Sequence, residues 1–373
     1  MKGRLEALAL LIGTIIGVGV FALPFVFYRA GFLLGALELV ILTAAVLAIH
    51  LMYGDVALSV GRPHQLPGYA ALYLGRGWRK IVGIVSVTGL GGALIAYVIL
   101  GGSFTQSLVQ YFWGSSVSGI GFLLFLLLGF IVFFYDRWFA VGFDTLLSVL
   151  LVVTLILFIV IGFDAGRFGV LTEFRPNAAD IPYGVILFAL AGASVIPRVR
   201  EVLPGRGRGF GWVITVGTIV PAFLYLLFAA SVISASAPLV SREGIGGLVS
   251  TLGPDVVALG NVVGILATVT SYIGLGLTLK SLLVNDFQVS PDVAWLAVSL
   301  APPILVVFGV SDYIRVIGLV GTFMIGIESI LIVSIWKRLG SHPIFRVRSN
   351  LIPYCVLLLF FLGILYEVTT FFS

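Results

Sequence analysis

The side chains in this sequence that could do chemistry are hydroxyls and scattered carboxyls set in apolar runs. The stretch Ala267-Thr-Val-Thr-Ser271 places two adjacent hydroxyls, Thr270 and Ser271, in such a run, with the Ala267 carbonyl on the same helical face four residues before Ser271. A hard cation such as Na⁺ needs roughly five neutral oxygens of this kind, and carbonyls beside a broken helix could supply the rest. The competing fate is a hydroxyl bonded back to its own helix, which is common for Ser and Thr in membranes. Four carboxyls lie inside apolar runs, at Glu38, Asp55, Asp144 and Glu328. Such groups are expensive in a bilayer and mark function by default. Glu38 and Glu328 are the deeper pair, and either could carry a coupling proton. The alternative for each is a carboxyl bonded to a neighbouring helix or facing a watery vestibule. Asp55 could also cap broken backbone. Cys355 is the single cysteine, which excludes an internal disulfide and a cysteine metal cluster. His50, His64 and His342 are far apart in sequence and all lie towards one side, with His64 and His342 expected in solvated loops. No nucleophile, acid and metal ligands converge, and no haem, phosphate-loop or zinc motif occurs, so nothing reads as an enzyme.

The elements that must position these groups are membrane spans. Mean hydropathy is +1.19, and 60% of the 373 residues are hydrophobic with 10% charged, against roughly 25% charged in soluble domains. Apolar runs of about 20 residues predict eleven spans, at 5–28, 32–60, 79–112, 118–134, 139–163, 180–198, 210–236, 256–286, 292–309, 312–336 and 351–371. No small-residue cleavage site follows the first, which therefore reads as a retained span. With the N-terminus inside, fifteen of the 21 Lys and Arg fall on inner connections, and Lys280 near the inner end of span eight makes sixteen on that side. That bias predicts a multi-pass protein of the cell membrane with a cytoplasmic N-terminus and an outer C-terminus. The net charge of +5 is then membrane topology, with no sign of nucleic acid.

Two spans are predicted to break. Leu11–Pro24 is apolar but interrupted by Gly13, Gly17, Gly19 and Pro24. Glycine costs about 1 kcal/mol at each helix-interior site, and in lipid freed backbone survives only where it lines protein or a cavity. The alternative is a small-residue face for close helix packing. Span six is diluted by Ala189-Leu-Ala-Gly-Ala-Ser194 before Pro197 closes it. Five spans separate the two breaks, so about 5–163 and 180–336 form inverted repeats of one transporter domain, with 351–371 added. Breaks at equivalent places in inverted halves point to a binding site. Half-helix ends can hold both ends of a zwitterion without charged side chains, and spans one, three, six and eight are uncharged at their centres. That fits a neutral amino acid.

The segments GTIIGVGVFALPFVFYRAGFLLG (Gly13–Gly35), IPYGVILFALAGASVIP (Ile181–Pro197), GGALIAYVILGG (Gly91–Gly102) and SYIGLGLTLKSLL (Ser271–Leu283) resemble spans one, six, three and eight of the amino acid/auxin permease family. That family belongs to the amino acid–polyamine–organocation superfamily and has the LeuT-type fold. The resemblance implies Na⁺ held by Gly13, Ile16, Ala267, Thr270 and Ser271. It places a substrate carboxylate at the amides of Val18 and Gly19, and an ammonium at carbonyls near Thr14, Ile15, Phe188, Ala189 and Ala191. Tyr97 matches a substrate-facing aromatic, and the small residues Ala189, Ala191 and Gly192 leave room for an apolar or aromatic side chain. Some proton-coupled relatives put a lysine in span five, and Phe139–Phe163 has none, which favours Na⁺. The expectation is a Na⁺-coupled symporter of neutral amino acids working by alternating access. H⁺ coupling through Glu38 or Glu328 is the mechanistic alternative, and a non-transporting amino-acid sensor is the alternative of another class. Whether it is a monomer or homodimer is left open.

Overall fold

The computed structural model describes residues 2–61, 64–114, 140–178, 180–203, 208–346 and 351–372, together with 119, 123 and 127. Among them the regular elements are helical, and no strand occurs. In chain order they are α1 (Lys2–Ile15), α2 (Leu23–Ala30), α3 (Phe32–Leu58), α4 (Leu66–Tyr73), α5 (Trp78–Trp113), α6 (Ala140–Asp164), α7 (Asp180–Ala189), α8 (Ile196–Val202) and α9 (Arg208–Ser236). They continue with α10 (Pro254–Phe287), α11 (Pro291–Val307), α12 (Tyr313–Leu319), α13 (Gly326–Trp336) and α14 (Leu351–Phe372).

The expected spans fall into four groups. Seven stretches are long and apolar enough to cross a bilayer: Phe32–Leu58, Trp78–Trp113, Asp180–Val202, Gly209–Ser236, Pro254–Phe287, Tyr313–Trp336 and Leu351–Thr369. The pair Gly3–Ile15 and Val18–Ala30, bent by 43°, adds an eighth when taken as one span. Val149–Asp164 and Pro291–Val307 are apolar but shorter. The run expected at 118–134 lies outside the described residues, apart from 119, 123 and 127.

Span one and span six share a local design. α1 stops at Ile15, residue 17 is extended (φ −114°, ψ −161°), and a 3₁₀ turn Val18–Ala22 leads into α2, which has Pro24 in its first turn. α7 stops at Ala189, Gly192 has φ −145° and ψ −1°, and a 3₁₀ turn Ala193–Val195 leads into α8, with Pro197 in its first turn. Proline suits a first turn because its missing N–H would have no intrahelical partner there. Pro197 therefore opens a second helical segment reaching Val202, where the sequence suggested a terminator.

α5 and α10 form the most extensive helix pair, while α9 packs on α1, α2, α3 and α6. α12 joins α13 through a π turn, Val320–Ile325, that packs on α7. The close approach there requires glycine. A Cβ on Gly321 would meet the Phe188 backbone nitrogen at 2.9 Å, and one on Gly184 would meet the Gly318 carbonyl carbon at 2.8 Å. Isolated π turns of this kind often sit beside functional sites.

Asp55 does not cap either break. Its buried carboxylate accepts from Trp336 Nε1 (3.0 Å), Ile344 N (2.7 Å) and Phe345 N (3.1 Å), and so ties the segment after α13 to α3. His342 is likewise no solvated loop residue, because its ring lies on Trp336 with centroids 4.0 Å apart. Sequence reasoning placed both wrongly because the fold brings this segment back onto α3.

Candidate functional site

The two breaks meet through a residue of span seven. Tyr225 on α9 is fully buried, and its hydroxyl lies 2.5 Å from the Ile15 carbonyl and 3.1 Å from the Ala189 carbonyl. These are the last residues of α1 and α7, so one hydroxyl caps the C-terminal ends of both half-helices, where orphan carbonyls and the helix dipoles concentrate negative potential. The Ile15 carbonyl also accepts from Gly17 N at 2.8 Å. On the other side of the first break, the Val18 carbonyl accepts from the buried Tyr313 hydroxyl at 2.8 Å. The first turn bond here runs from Val20 N to Gly17 O (3.4 Å), which leaves the Val18 and Gly19 amides outside the turn's ladder. Gly19 packs against α7 so closely that a Cβ would stand 2.8 Å from Ala189 Cα.

A cavity of about 1130 Å³ runs from these breaks to one end of the bundle. That exceeds the roughly 300–1,000 Å³ of small-molecule pockets, because it includes a vestibule lined by Glu6, Gln65, Arg198, Asn285 and Asp286. Asp286 there pairs with Arg79 at 2.7 Å. The other end is closed by aromatic packing of Phe21 on Phe104 (5.1 Å between centroids, 73°) and on Phe228 (6.3 Å, 87°).

Of the residues singled out from sequence, Gly13, Thr14, Ile15, Val18, Gly19, Tyr97, Phe188, Ala189, Ala191 and Thr270 all border this cavity, as does Glu328. Ile16, Ala267, Ser271 and Glu38 do not line it. Of the five candidate Na⁺ ligands, Gly13 and Thr270 border the cavity and the other three do not. Thr270 donates to its own helix, at Leu266 O (2.9 Å) and Ala267 O (3.1 Å), and α1 packs chiefly on α8 and α9. Thr14 behaves like Thr270, donating to Leu10 O at 2.8 Å. Glu38 is partly buried on α3, and its two buried carboxyl oxygens have no hydrogen-bond partner among the described residues.

The wall is not free of charge, as the sequence had implied. Spans one, three, six and eight are uncharged at their centres, but span ten, through Glu328 on α13, brings a carboxyl to the cavity. Glu328 also borders a smaller pocket of about 50 Å³ behind the span-six break, with His50, Ala191, Gly192, Ser194 and Ser329. His50 is buried, and its Nδ1 lies 2.9 Å from Thr218 Oγ1. Thr218 Oγ1 also lies 2.9 Å from Ile214 O, and its single proton serves one of these two contacts. His50 thus belongs with the span-six break rather than towards the bundle's end, where the sequence reading put it.

Val85, Gly89 and Ala93 on α5 also border the cavity. Their four-residue spacing back from Tyr97 is a helical stripe that could have been read from sequence. Tyr225 had no such signal, since its partners are backbone atoms 36 and 210 residues away.

No curated protein sequence matches the chain. In fold it is similar to Mhp1 in an inward-facing conformation, with a TM-score of 0.69 and 14% identity over 98% of this chain and 91% of that one. It is similar to MhsT in complex with L-phenylalanine, with a TM-score of 0.66 and 15% identity over 97% and 98% of the two chains. It is also similar to Mhp1, a nucleobase-cation-symport-1 family transporter, in a closed conformation with bromovinylhydantoin bound (TM-score 0.65, 12% identity, 98% and 93% covered). At these identities the likeness establishes the fold, which is the LeuT-type fold that the resemblance implied. A family profile matches residues 1–370 and names a different permease family from the one suggested by the span segments. The chain belongs to the tryptophan/tyrosine permease family, and it is a membrane permease rather than an enzyme.

Proposed function

We propose that this permease is a secondary active symporter that carries a neutral, aromatic amino acid with Na⁺ by alternating access. The observation that carries this reading is the junction at Tyr225, where the two interrupted helices meet and border one cavity. Their free ends offer opposite partial charges to the two ends of a zwitterion. Val18 and Gly19 amides face the carboxylate, and the carbonyls near Thr14, Ile15, Phe188, Ala189 and Ala191 face the ammonium, beside Tyr97. The family's description and the phenylalanine bound to MhsT support an aromatic side chain.

In this proposal the eleven spans form one domain of inverted repeats, about 5–163 and 180–336, plus 351–371. Spans one, two, six and seven rock against three, four, eight and nine. The excess of inner Lys and Arg places the cavity mouth in the cytoplasm, so the conformation is inward-open. Na⁺ then binds when closure of the inner side brings Gly13 and Ile16 onto Ala267, Thr270 and Ser271, and Thr270 can coordinate it through a lone pair while its proton stays on its own helix. A second reading, H⁺ coupling, rests on Glu328, which borders the cavity from span ten.

Uptake of radiolabelled amino acids into proteoliposomes, under an inward Na⁺ gradient or an inward H⁺ gradient, separates these readings. The expected result is Na⁺-driven accumulation whose Na⁺ dependence is weakened in Thr270→Ala with Ser271→Ala. Sodium dependence unchanged in the double variant removes the proposed ion site. Accumulation driven by protons without Na⁺ turns the search for the coupling group to Glu38 and Glu328, and binding without accumulation makes the protein a sensor.

A further inference from the structure

We infer that Glu328 is the hydrogen-bond acceptor for the ring N–H or O–H of the substrate, and so the residue that prefers tryptophan and tyrosine over phenylalanine. The inference rests on the aromatic-substrate reading above and adds to it a chemical reason for the choice of ring.

Three observations place Glu328 at the substrate rather than at the vestibule. It borders both the large cavity and the small pocket behind span six, and Ala191 and Ser194 of the span-six break border both with it. The π turn that ends three residues before it packs span ten onto α7. The cavity wall is otherwise mostly apolar or aromatic, with Val320, Met324 and Ile325 on the same span and Tyr53, Tyr97 and Phe188 on others, while Ser194 adds one hydroxyl. The other acidic residues of the cavity, Glu6 and Asp286, line the vestibule, and Asp286 is paired with Arg79.

A carboxyl facing the cavity offers acceptor capacity to a bound ring, whether it is ionised or neutral. Indole N–H and phenol O–H are the one feature that tryptophan and tyrosine share and phenylalanine lacks. A ligand that fills the ring site without a donor leaves the Glu328 oxygens dehydrated and unpaired, and that penalty is what makes polar recognition selective. Phenylalanine, 4-fluorophenylalanine and 3-benzothienylalanine, which keep ring size but remove the donor, should therefore bind roughly 10- to 100-fold more weakly than tyrosine or tryptophan.

The test is competition of these analogues against radiolabelled tryptophan on the full-length permease in proteoliposomes, for wild type, Glu328→Gln and Glu328→Leu. Glutamine keeps an acceptor oxygen and should keep the preference, while leucine should erase it by weakening tryptophan and tyrosine and sparing phenylalanine. Retained phenylalanine uptake shows that the leucine variant is folded, and Glu328→Ala makes the same comparison if it is not. Wild type that takes benzothienylalanine as well as tryptophan overturns the inference. So does a leucine variant that loses all ligands alike, since that assigns the carboxyl to the ammonium or to an ion. If wild type binds no aromatic amino acid but accumulates another, the substrate reading fails and this inference with it.

Discussion

Replacing Tyr225 by Phe keeps the ring that packs in the core and removes one atom, the hydroxyl that joins the two half-helix ends. In the wild type that hydroxyl has a single proton, directed to the nearer Ile15 carbonyl at 2.5 Å, with the Ala189 carbonyl at 3.1 Å sharing the contact. Ile15 O keeps its bond from Gly17 N, so the larger loss falls on the convergence of two helix C-termini in a buried setting. A buried acceptor deprived of its partner costs about 1–3 kcal/mol. Unfolding of large chains shifts by roughly 2 °C per kcal/mol, so the ligand-free variant should melt about 2–6 °C below wild type. If the substrate ammonium uses these carbonyls, it restores part of the lost bonding, and the stabilisation by saturating tryptophan should be greater in the variant than in the wild type. Thermal melts of the purified permease in detergent, with and without ligand, measure both quantities. An unchanged ligand-free melting temperature refutes the role given to the hydroxyl. A reduced one with no added gain from ligand refutes the placement of the ammonium at Ile15 and Ala189.

Gly19→Leu should abolish tryptophan binding by equilibrium dialysis, because even a Cβ at this position stands 2.8 Å from Ala189 Cα; wild-type affinity would argue against the pocket at the span-one break. Asp55→Ala removes the acceptor shared by Trp336, Ile344 and Phe345. It should lower stability by about 2–4 kcal/mol and expose the segment after α13 to limited proteolysis, and an unaltered digestion pattern would contradict the tie.

The sequence by itself determined the class of this protein. Hydropathy and charge placement demand a multi-pass helical membrane protein, because apolar runs of about 20 residues match the length of a helix that crosses the bilayer with its backbone groups bonded internally. Gly17 with Pro24 and Gly192 with Pro197 marked the two places where helices stop and restart, since glycine permits and proline directs those changes of backbone. Most of the cavity wall was also legible, because helical spacing fixes which residues share a face. Only the tertiary structure decided what stands opposite those breaks. Tyr225 acts through backbone carbonyls, which have no signature in residue type. Asp55 and His342 find their partners only when the segment after span ten folds back. Glu328 reaches the cavity because a π turn and two close glycine contacts bring span ten onto span six. Those are contacts between residues far apart in the chain, and local pattern carries no information about which distant faces will meet.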